Sequence, residues 1–246
     1  MTYCLGITTK DGFVVASDSR SNAGYDQVNV CRKMHLFEQP GERVFVAMTS
    51  GSLSCSQSIV TLLRKDFGIG AGLAAAESMY DAARAVGEQV RRVSDLDRRS
   101  LEQDGLKVNV HVILAGQIRG QPHDLYMIYP QGNPLRSTEE SPFLQIGECK
   151  YGRPILDRGV RFEHTSLEDA ARYALISIDS TLRSNVTVGP PIDLLVYGRD
   201  ELHLDRRRRF LDRDPDLIAI HTQWEQALRL AVQAIPRVNF EPETSM

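Results

Sequence analysis

The chain has 246 residues, 42% of them hydrophobic and 25% charged, and its formal net charge is −3 at pH 7. These values are close to the averages for soluble globular proteins, so we expect a single domain that spans residues 1–246. The small negative charge provides no general attraction to nucleic acid or to an anionic membrane, and we expect neither partner.

The cysteines and histidines give no sign of a metal site. The four cysteines lie far apart and contain no C-x-x-C spacing, which argues against a zinc site and against a secreted disulfide framework. The six histidines also lack metal-ligand spacing, so we expect no metal and no cofactor. No apolar run is long enough to cross a membrane, and no signal-peptide pattern opens the chain. The expected compartment is therefore the cytoplasm.

The first half of the chain predicts two strand pairs and then two helices. Residues 2–9 and 13–19 form a hairpin pattern around an Asp-Gly turn, and residues 19–29 are polar and predict a surface loop. Residues 33–37 and 43–50 predict a second strand pair, joined by a Pro-Gly turn. A helix capped by Ser52 or Ser54 is expected to end near Phe67, and a second covers residues 73–93.

The second half alternates strands and helices. Strands are predicted at residues 107–116, 124–129 and 143–147, followed by a helical turn at 154–158 and a helix at 166–183 that begins with a capping-box pattern. A strand at residues 192–197 is expected to pair with residues 201–204, and the last helix covers residues 216–235. This order favours an α+β fold in which two antiparallel sheets stack face to face, with helices on both outer sides.

Three residues near the first hairpin predict a nucleophilic site. Once Met1 is removed, Thr2 carries an α-amine with an ordinary pKa of about 7.7–8.0, which can take the proton of its own hydroxyl. Lys33 would lower the pKa of that amine by like-charge repulsion, and Asp18 would hold Lys33 in place. Each residue also has an ordinary structural interpretation, and only the combination favours catalysis.

Gly51 is a fourth candidate, because it ends a predicted strand where a helix begins. Its backbone N–H could point at a developing oxyanion, although an ordinary strand-to-helix turn explains the same pattern.

These residues lie in longer motifs that resemble proteasome-type β subunits, specifically those of the bacterial Anbu branch. The resemblance covers nearly the whole chain and is carried by MTYCLG (1–6), SDSRSNAG (17–24), RKM (32–34), TSG (49–51), IGECKYGRPILDR (146–158) and VGPPID (188–193).

The resemblance implies the four-layer αββα fold of N-terminal nucleophile hydrolases and self-association into a ring or spiral homo-oligomer. It implies that Thr2 is the nucleophile, that Asp18 and Lys33 support it, and that the Gly51 N–H binds the oxyanion. Three further residues would bind an extended peptide substrate by backbone hydrogen bonds or line its first specificity pocket: Asn22, Thr49 and Leu53.

One position departs from the family pattern. Proteasome subunits usually have Ser after the glycine that corresponds to Gly147, whereas this chain has Glu148. A carboxylate beside the amine would raise the pKa of that amine and weaken it as a base. Asp179 and Ser184 are expected to fill the remaining supporting positions.

Three hypotheses therefore remain open. The first is a threonine hydrolase that cleaves peptide or isopeptide bonds, the second is a self-assembling scaffold with a degenerate site, and the third is a small-molecule amidase. The four-arginine run at residues 206–209 and the apolar stripe of the last helix around Trp224 are interpreted as structural or intersubunit features.

Overall fold

The computed structural model describes residues 1–22, 28–103, 105 and 109–239, and the elements below are those found within these ranges. The strands are β1 (Tyr3–Thr9), β2 (Gly12–Asp18), β3 (Arg20–Asn22), β4 (Val28–Val30), β5 (Met34–Gln39), β6 (Arg43–Gly51), β7 (Val110–Ile118), β8 (Asp124–Ile128), β9 (Pro134–Arg136), β10 (Phe143–Gly147), β11 (Ile192–Gly198) and β12 (Arg207–Phe210). The α-helices are α1 (Leu53–Gly68), α2 (Met79–Gln103), α3 (Arg153–Gly159), α4 (Leu167–Ser184) and α5 (Pro215–Ala234).

The strands form two five-stranded antiparallel sheets. The first has the order β10-β1-β2-β11-β12 and the second has the order β5-β6-β7-β8-β9, while β3 and β4 pair separately. Both strands of the predicted N-terminal hairpin lie near the centre of the first sheet and are buried along their whole length. Burial on both faces explains why these segments are almost continuously apolar rather than alternating.

The two sheets pack against each other through one apolar layer, and helices cover their outer faces. Phe13 and Val15 of β2 face Met48 and Ile113 of the second sheet within this inner layer. On the outer face of the first sheet, Tyr3, Leu5 and Val14 belong to a cluster that α3 and α4 complete. Helices α1 and α2 cover the second sheet in the same way. The predicted four-layer αββα fold is thereby confirmed.

One predicted hairpin has its second strand in the wrong place. The sequence predicts that residues 201–204 pair with β11, but the strand that pairs with β11 on the side away from β2 is β12. Asp200 and Leu202 have φ angles of 66° and 51°, so the chain leaves the extended conformation where the prediction continued it. Leu204 is buried all the same, which explains the misleading apolar signal.

Other differences lie in polar segments. The pair β3–β4 falls within the predicted loop of residues 19–29, and α2 continues ten residues beyond its predicted end at residue 93. The predicted cap of α4 is confirmed, because the Ser166 hydroxyl accepts a hydrogen bond from the Asp169 backbone N–H at 3.1 Å. Of the helices described, none is both long and apolar enough to cross a bilayer.

Candidate active site

The start of the chain is fixed on both sides by the first sheet. The Thr2 carbonyl oxygen accepts a hydrogen bond from the Glu148 N–H at 2.7 Å, and the Tyr3 N–H donates to Asp18 Oδ1 at 2.9 Å. Gly147 has a φ angle of 87°, and a Cβ there would overlap the Thr2 carbonyl oxygen. Glycine is therefore required where β10 passes Thr2.

Asp18 and Lys33 form a buried ion pair directly beneath this N-terminal segment. Lys33 Nζ lies 2.6 Å from Asp18 Oδ1 and 2.7 Å from the Arg20 carbonyl oxygen. The Asp18 side chain is fully buried, and its Oδ2 accepts hydrogen bonds from the N–H groups of Arg20 and Gly189, both at 3.2 Å. The pair therefore has a fixed geometry set by β2 and by the backbone around it.

Burial raises the pKa of the Asp18 carboxyl above its ordinary value, while Lys33 and the backbone donors oppose this rise. The four groups that contact the carboxyl are all donors, so its ionised form matches its surroundings. The pKa of the Met1 α-amine is lowered by burial and by the charge of Lys33, while Asp18 and Glu148 act to raise it. This is the amine of the chain that retains Met1, whereas the general base predicted from the sequence is the Thr2 α-amine, which is formed only when Met1 is removed.

A cleft of about 420 Å³ opens beside Thr2, and the residues along it include Met1, Ser50, Gly51 and His111. Gly51 has a φ angle of 111°, and a Cβ there would overlap the carbonyl oxygen of Asn109, so this position also requires glycine. Our sequence analysis did not assign Ser50 or His111 to the site. Only their position in the sheet could have indicated them, because Ser50 of β6 pairs with His111 of β7 next to Gly51.

Glu148 is tied to a residue that our sequence analysis missed. Its Oε2 accepts a hydrogen bond from Asn185 Nδ2 at 3.0 Å, and Asn185 Oδ1 accepts one from the Thr187 N–H at 3.0 Å. Asn185 is the C-cap residue of α4, far from Glu148 in sequence. No local pattern predicts this contact. The Glu148 carboxylate is therefore held in position near the N-terminus.

The three predicted substrate-binding residues lie around this site. Thr49 is buried in β6, and its N–H donates to the Lys33 carbonyl oxygen at 3.2 Å. Leu53 is exposed as the first residue of α1, and neither side chain lines the cleft beside Thr2. Asn22 ends β3, and its side chain lies outside the described residues. Their binding roles stay predictions.

The structure does not bring Asp179 and Ser184 into the group around Thr2. The Asp179 carboxylate lies 3.0 Å from His221 Nδ1 of α5, on the outer face of α4. Ser184 is the last residue of α4 and is exposed. Asn185, one residue further on, makes the contact with Glu148.

Comparison with known proteins agrees with the fold. The model of the family described as "Proteasome subunit" matches residues 2–197, which is most of the chain. The chain therefore belongs to the proteasome subunit family. A curated relative, the proteasome subunit beta of Haloferax volcanii, is 28% identical over 214 residues, covering 85% of this chain and 78% of the relative.

Within that family, solved Anbu structures match almost the full length. The chain is 45% identical to the protein in a helical assembly of the Anbu complex from Pseudomonas aeruginosa, with a TM-score of 0.90 and coverage of 97% of this chain and 98% of that chain. Anbu (ancestral beta-subunit) from Yersinia bercovieri is 41% identical, with a TM-score of 0.89 and coverage of 97% and 100%. The predicted resemblance to the Anbu branch is confirmed.

Proposed function

We propose that this protein is an N-terminal threonine hydrolase that cleaves peptide or other amide bonds after Met1 is removed. The observation that carries the proposal is the buried Lys33–Asp18 pair at 2.6 Å, which binds the backbone of the residue that follows Thr2. An ion pair that is removed from solvent is costly to maintain, and here it adjoins a cleft that contains Thr2.

The proposed reaction uses groups of the chain alone. The Thr2 hydroxyl attacks the substrate carbonyl carbon and gives its proton to the free Thr2 α-amine, directly or through water. The Gly51 N–H stabilises the oxyanion. The C–N bond then breaks, the leaving amine takes the proton from the Thr2 ammonium, and an ester links the acyl group to Thr2. A water molecule, deprotonated by the same amine, hydrolyses the ester and restores Thr2.

Lys33 and Asp18 act on the base in this scheme. The Lys33 charge acts to lower the pKa of the Met1 amine, and like-charge repulsion should act in the same direction on the Thr2 amine once Met1 is removed, which favours its neutral form. Asp18 holds the Lys33 ammonium in position and offsets the cost of burying the Lys33 charge.

A self-assembling scaffold is the second candidate, and Glu148 is the observation that favours it. Its carboxylate is held near the N-terminus by Asn185 and acts to raise the pKa of the Met1 amine. The same effect on the Thr2 amine would oppose base catalysis.

Whether the protein is a hydrolase or a scaffold, we expect self-association into a ring or a spiral. None of the residues of α5 is buried in the single chain, and exposed apolar side chains continue along it to Ile235. The relative from Pseudomonas aeruginosa is known as a helical assembly.

The test is the intact mass of protein purified from its native host, before and after treatment with a threonine-reactive epoxyketone or β-lactone. We expect loss of Met1 and one inhibitor adduct. Thr2→Ser keeps a hydroxyl at the same position and should retain the adduct, whereas Thr2→Ala should lose it. A mass that retains Met1 and shows no adduct would favour the scaffold.

The nature of the substrate needs a second measurement on the processed protein. Turnover of extended peptides would support a peptidase, whereas turnover of small amides alone would support an amidase.

Cytoplasmic location stays a prediction, which fractionation of the native cells would test.

A further inference from the structure

A second cleft, of about 370 Å³, opens at one side of the molecule, where the two stacked sheets end. Its walls are the edge strands β5 and β12, and within the described chain each of these pairs with a neighbour on one side only. Four arginines contribute to this opening, together with Met34 and Leu36 of β5. We call it the arginine cleft.

Two of these arginines are neutralised within the chain. Arg209 pairs with Asp193 at 2.5 Å, and Arg208 pairs with Asp214 at 3.1 Å and with Asp216 at 2.5 Å. Arg208 also lies over the Phe210 ring, 4.4 Å from its centre. Both guanidinium groups are therefore held in place by intramolecular contacts.

The other two arginines lack such compensation. Arg32 and Arg207 are exposed, and neither has an ion-pair partner among the residues that the structure describes. The arginine cleft thus carries a local positive charge although the whole chain has a net charge of −3. Guanidinium groups bind carboxylates through paired, planar hydrogen bonds, which lysine cannot reproduce.

The two edge strands at the cleft favour an extended ligand. Edge strands present backbone N–H and C=O groups that can pair with an added strand. Met34 and Leu36 form an apolar part of the cleft, and both are only partly buried. Successive side chains of an extended peptide point in opposite directions, so one set could contact the arginines while the other contacts Met34 and Leu36.

We propose that the arginine cleft binds an extended acidic segment of a partner protein, with its carboxylates on Arg32 and Arg207 and its apolar side chains on Met34 and Leu36. Nucleic acid fits the site less well, because Asp193, Asp214 and Asp216 interrupt the positive surface that phosphates would follow. The proposal does not depend on threonine chemistry. Asp193 accepts a hydrogen bond from Ser19, so the cleft borders the Asp18 region without using the candidate catalytic groups.

The test measures binding of a fluorescein-labelled octapeptide of alternating glutamate and valine by fluorescence anisotropy. The full chain carrying Thr2→Ala is used, so that cleavage cannot consume the probe. We expect saturable binding that is at least about tenfold weaker for the peptide in which glutamine replaces glutamate, because charge-assisted hydrogen bonds are lost.

Matched variants of neighbouring arginines locate the binding site. Arg207→Glu should weaken binding by about tenfold or more. Arg206→Glu makes the same change of charge next to the cleft, at a residue that pairs with Glu201 at 3.0 Å, and should change the affinity less than about twofold. If Arg207→Glu does not fold, Arg207→Gln replaces it, with a smaller loss in the same direction.

Several results would overturn the proposal. The first is no binding of the glutamate peptide at millimolar concentration. The second is equal affinity for the glutamate and glutamine peptides, and the third is an equal loss of affinity in Arg207→Glu and Arg206→Glu. Displacement of the probe by inorganic phosphate or a single-stranded oligonucleotide at lower concentrations than by unlabelled peptide would assign the cleft to phosphates instead.

Discussion

At the scale of single residues, the Lys33–Asp18 pair is the strongest determinant of the candidate site. Replacing Lys33 by Met leaves the Asp18 carboxylate buried without its cation, and we expect the free energy of unfolding to fall by about 3–5 kcal/mol. Denaturant unfolding measures this change. Adduct formation at Thr2 should fall as well, because removing the Lys33 charge, which acts to lower the pKa of the Met1 amine, should raise the pKa of the Thr2 amine in the processed protein.

The control for Lys33→Met is an exposed ion pair on α4. Arg172 lies 2.6 Å from Glu168 at the helix surface, and Arg172→Met should cost no more than about 1 kcal/mol. Equal losses from the two substitutions would contradict the structural importance of the buried pair.

Glu148 predicts a shift in the pH dependence of the reaction. Its negative charge acts to raise the pKa of the Met1 amine, and we expect the same direction for the Thr2 amine of the processed protein, so Glu148→Gln should lower the pKa of that amine. The neutral amine then predominates at lower pH, and the rising limb of the rate of adduct formation should move toward lower pH. Rates measured across a pH series test the direction, and a shift toward higher pH would contradict it.

The sequence predicted the candidate catalytic group better than its supporting contacts. Thr2 and Asp18 belong to one predicted hairpin, so their proximity follows from the sequence pattern. Lys33 precedes β5 of the second sheet, and its contact with Asp18 depends on how the two sheets stack; the sequence indicated it through a recognisable motif. Asn185 could not be found in this way, because its contact with Glu148 depends on how α4 ends beside β10.

At the scale of elements, the end of β6 is the most restrictive position. Gly51→Ala would introduce a Cβ that overlaps the Asn109 carbonyl oxygen, at a φ angle of 111° that L residues rarely adopt. The backbone strain alone costs about 1–3 kcal/mol, and the overlap adds to it. We expect a lower midpoint of denaturant unfolding and loss of the Thr2 adduct.

Gly68→Ala is the matched control for Gly51→Ala. Gly68 ends α1, its φ is not positive, and a Cβ there meets nothing within 4 Å. We expect this substitution to stabilise the protein by up to about 1 kcal/mol and to leave the adduct intact. A similar loss of stability and of the Thr2 adduct in both variants would show that the effect of Gly51→Ala is not specific to its position.

Strands with an apolar pattern were predicted well, and strands rich in charge were not. The buried strands β1, β2, β6 and β7 agree with their predicted segments within a few residues. By contrast, β12 is formed by three arginines and a phenylalanine, and it is a strand because its backbone pairs with that of β11. Tertiary pairing of this kind overrides local propensity.

At the scale of the whole molecule, α5 is the surface that we expect to mediate assembly. Val232 and Ile235 are 66% and 64% exposed, and among the described residues the ion pairs that join the helix to the rest of the chain end at Glu225, through Asp216, His221 and Glu225. Val232→Asp should reduce association by about tenfold or more, because it would place an unpaired charge in the interface. The free energy of unfolding of the single chain should change by no more than about 0.5 kcal/mol.

Sedimentation velocity tests this prediction, with Gln226→Asp as the control. Gln226 is exposed on the same helix, and the substitution introduces the same side chain at a polar position. Unchanged assembly of Val232→Asp would exclude this face of α5 as a contact surface.

The layered architecture followed from the order of strands and helices, because two sheets with two apolar faces each can bury those faces only against each other and against helices. The number of subunits does not follow from the same pattern, since it depends on surfaces that a single chain leaves exposed. A single domain spanning residues 1–246 stays a prediction.

The fixed position of the first strand also bears on how this protein should be produced. Tyr3 pairs with Gly147 of β10 and Cys4 pairs with Ser17 of β2, and Met1 and Thr2 both line the cleft. If this cleft binds the substrate, as the proposed function requires, a tag fused before Thr2 would leave through it and would act as a tethered inhibitor. Recombinant protein for activity measurements should carry its affinity tag elsewhere and begin, once processed, at Thr2.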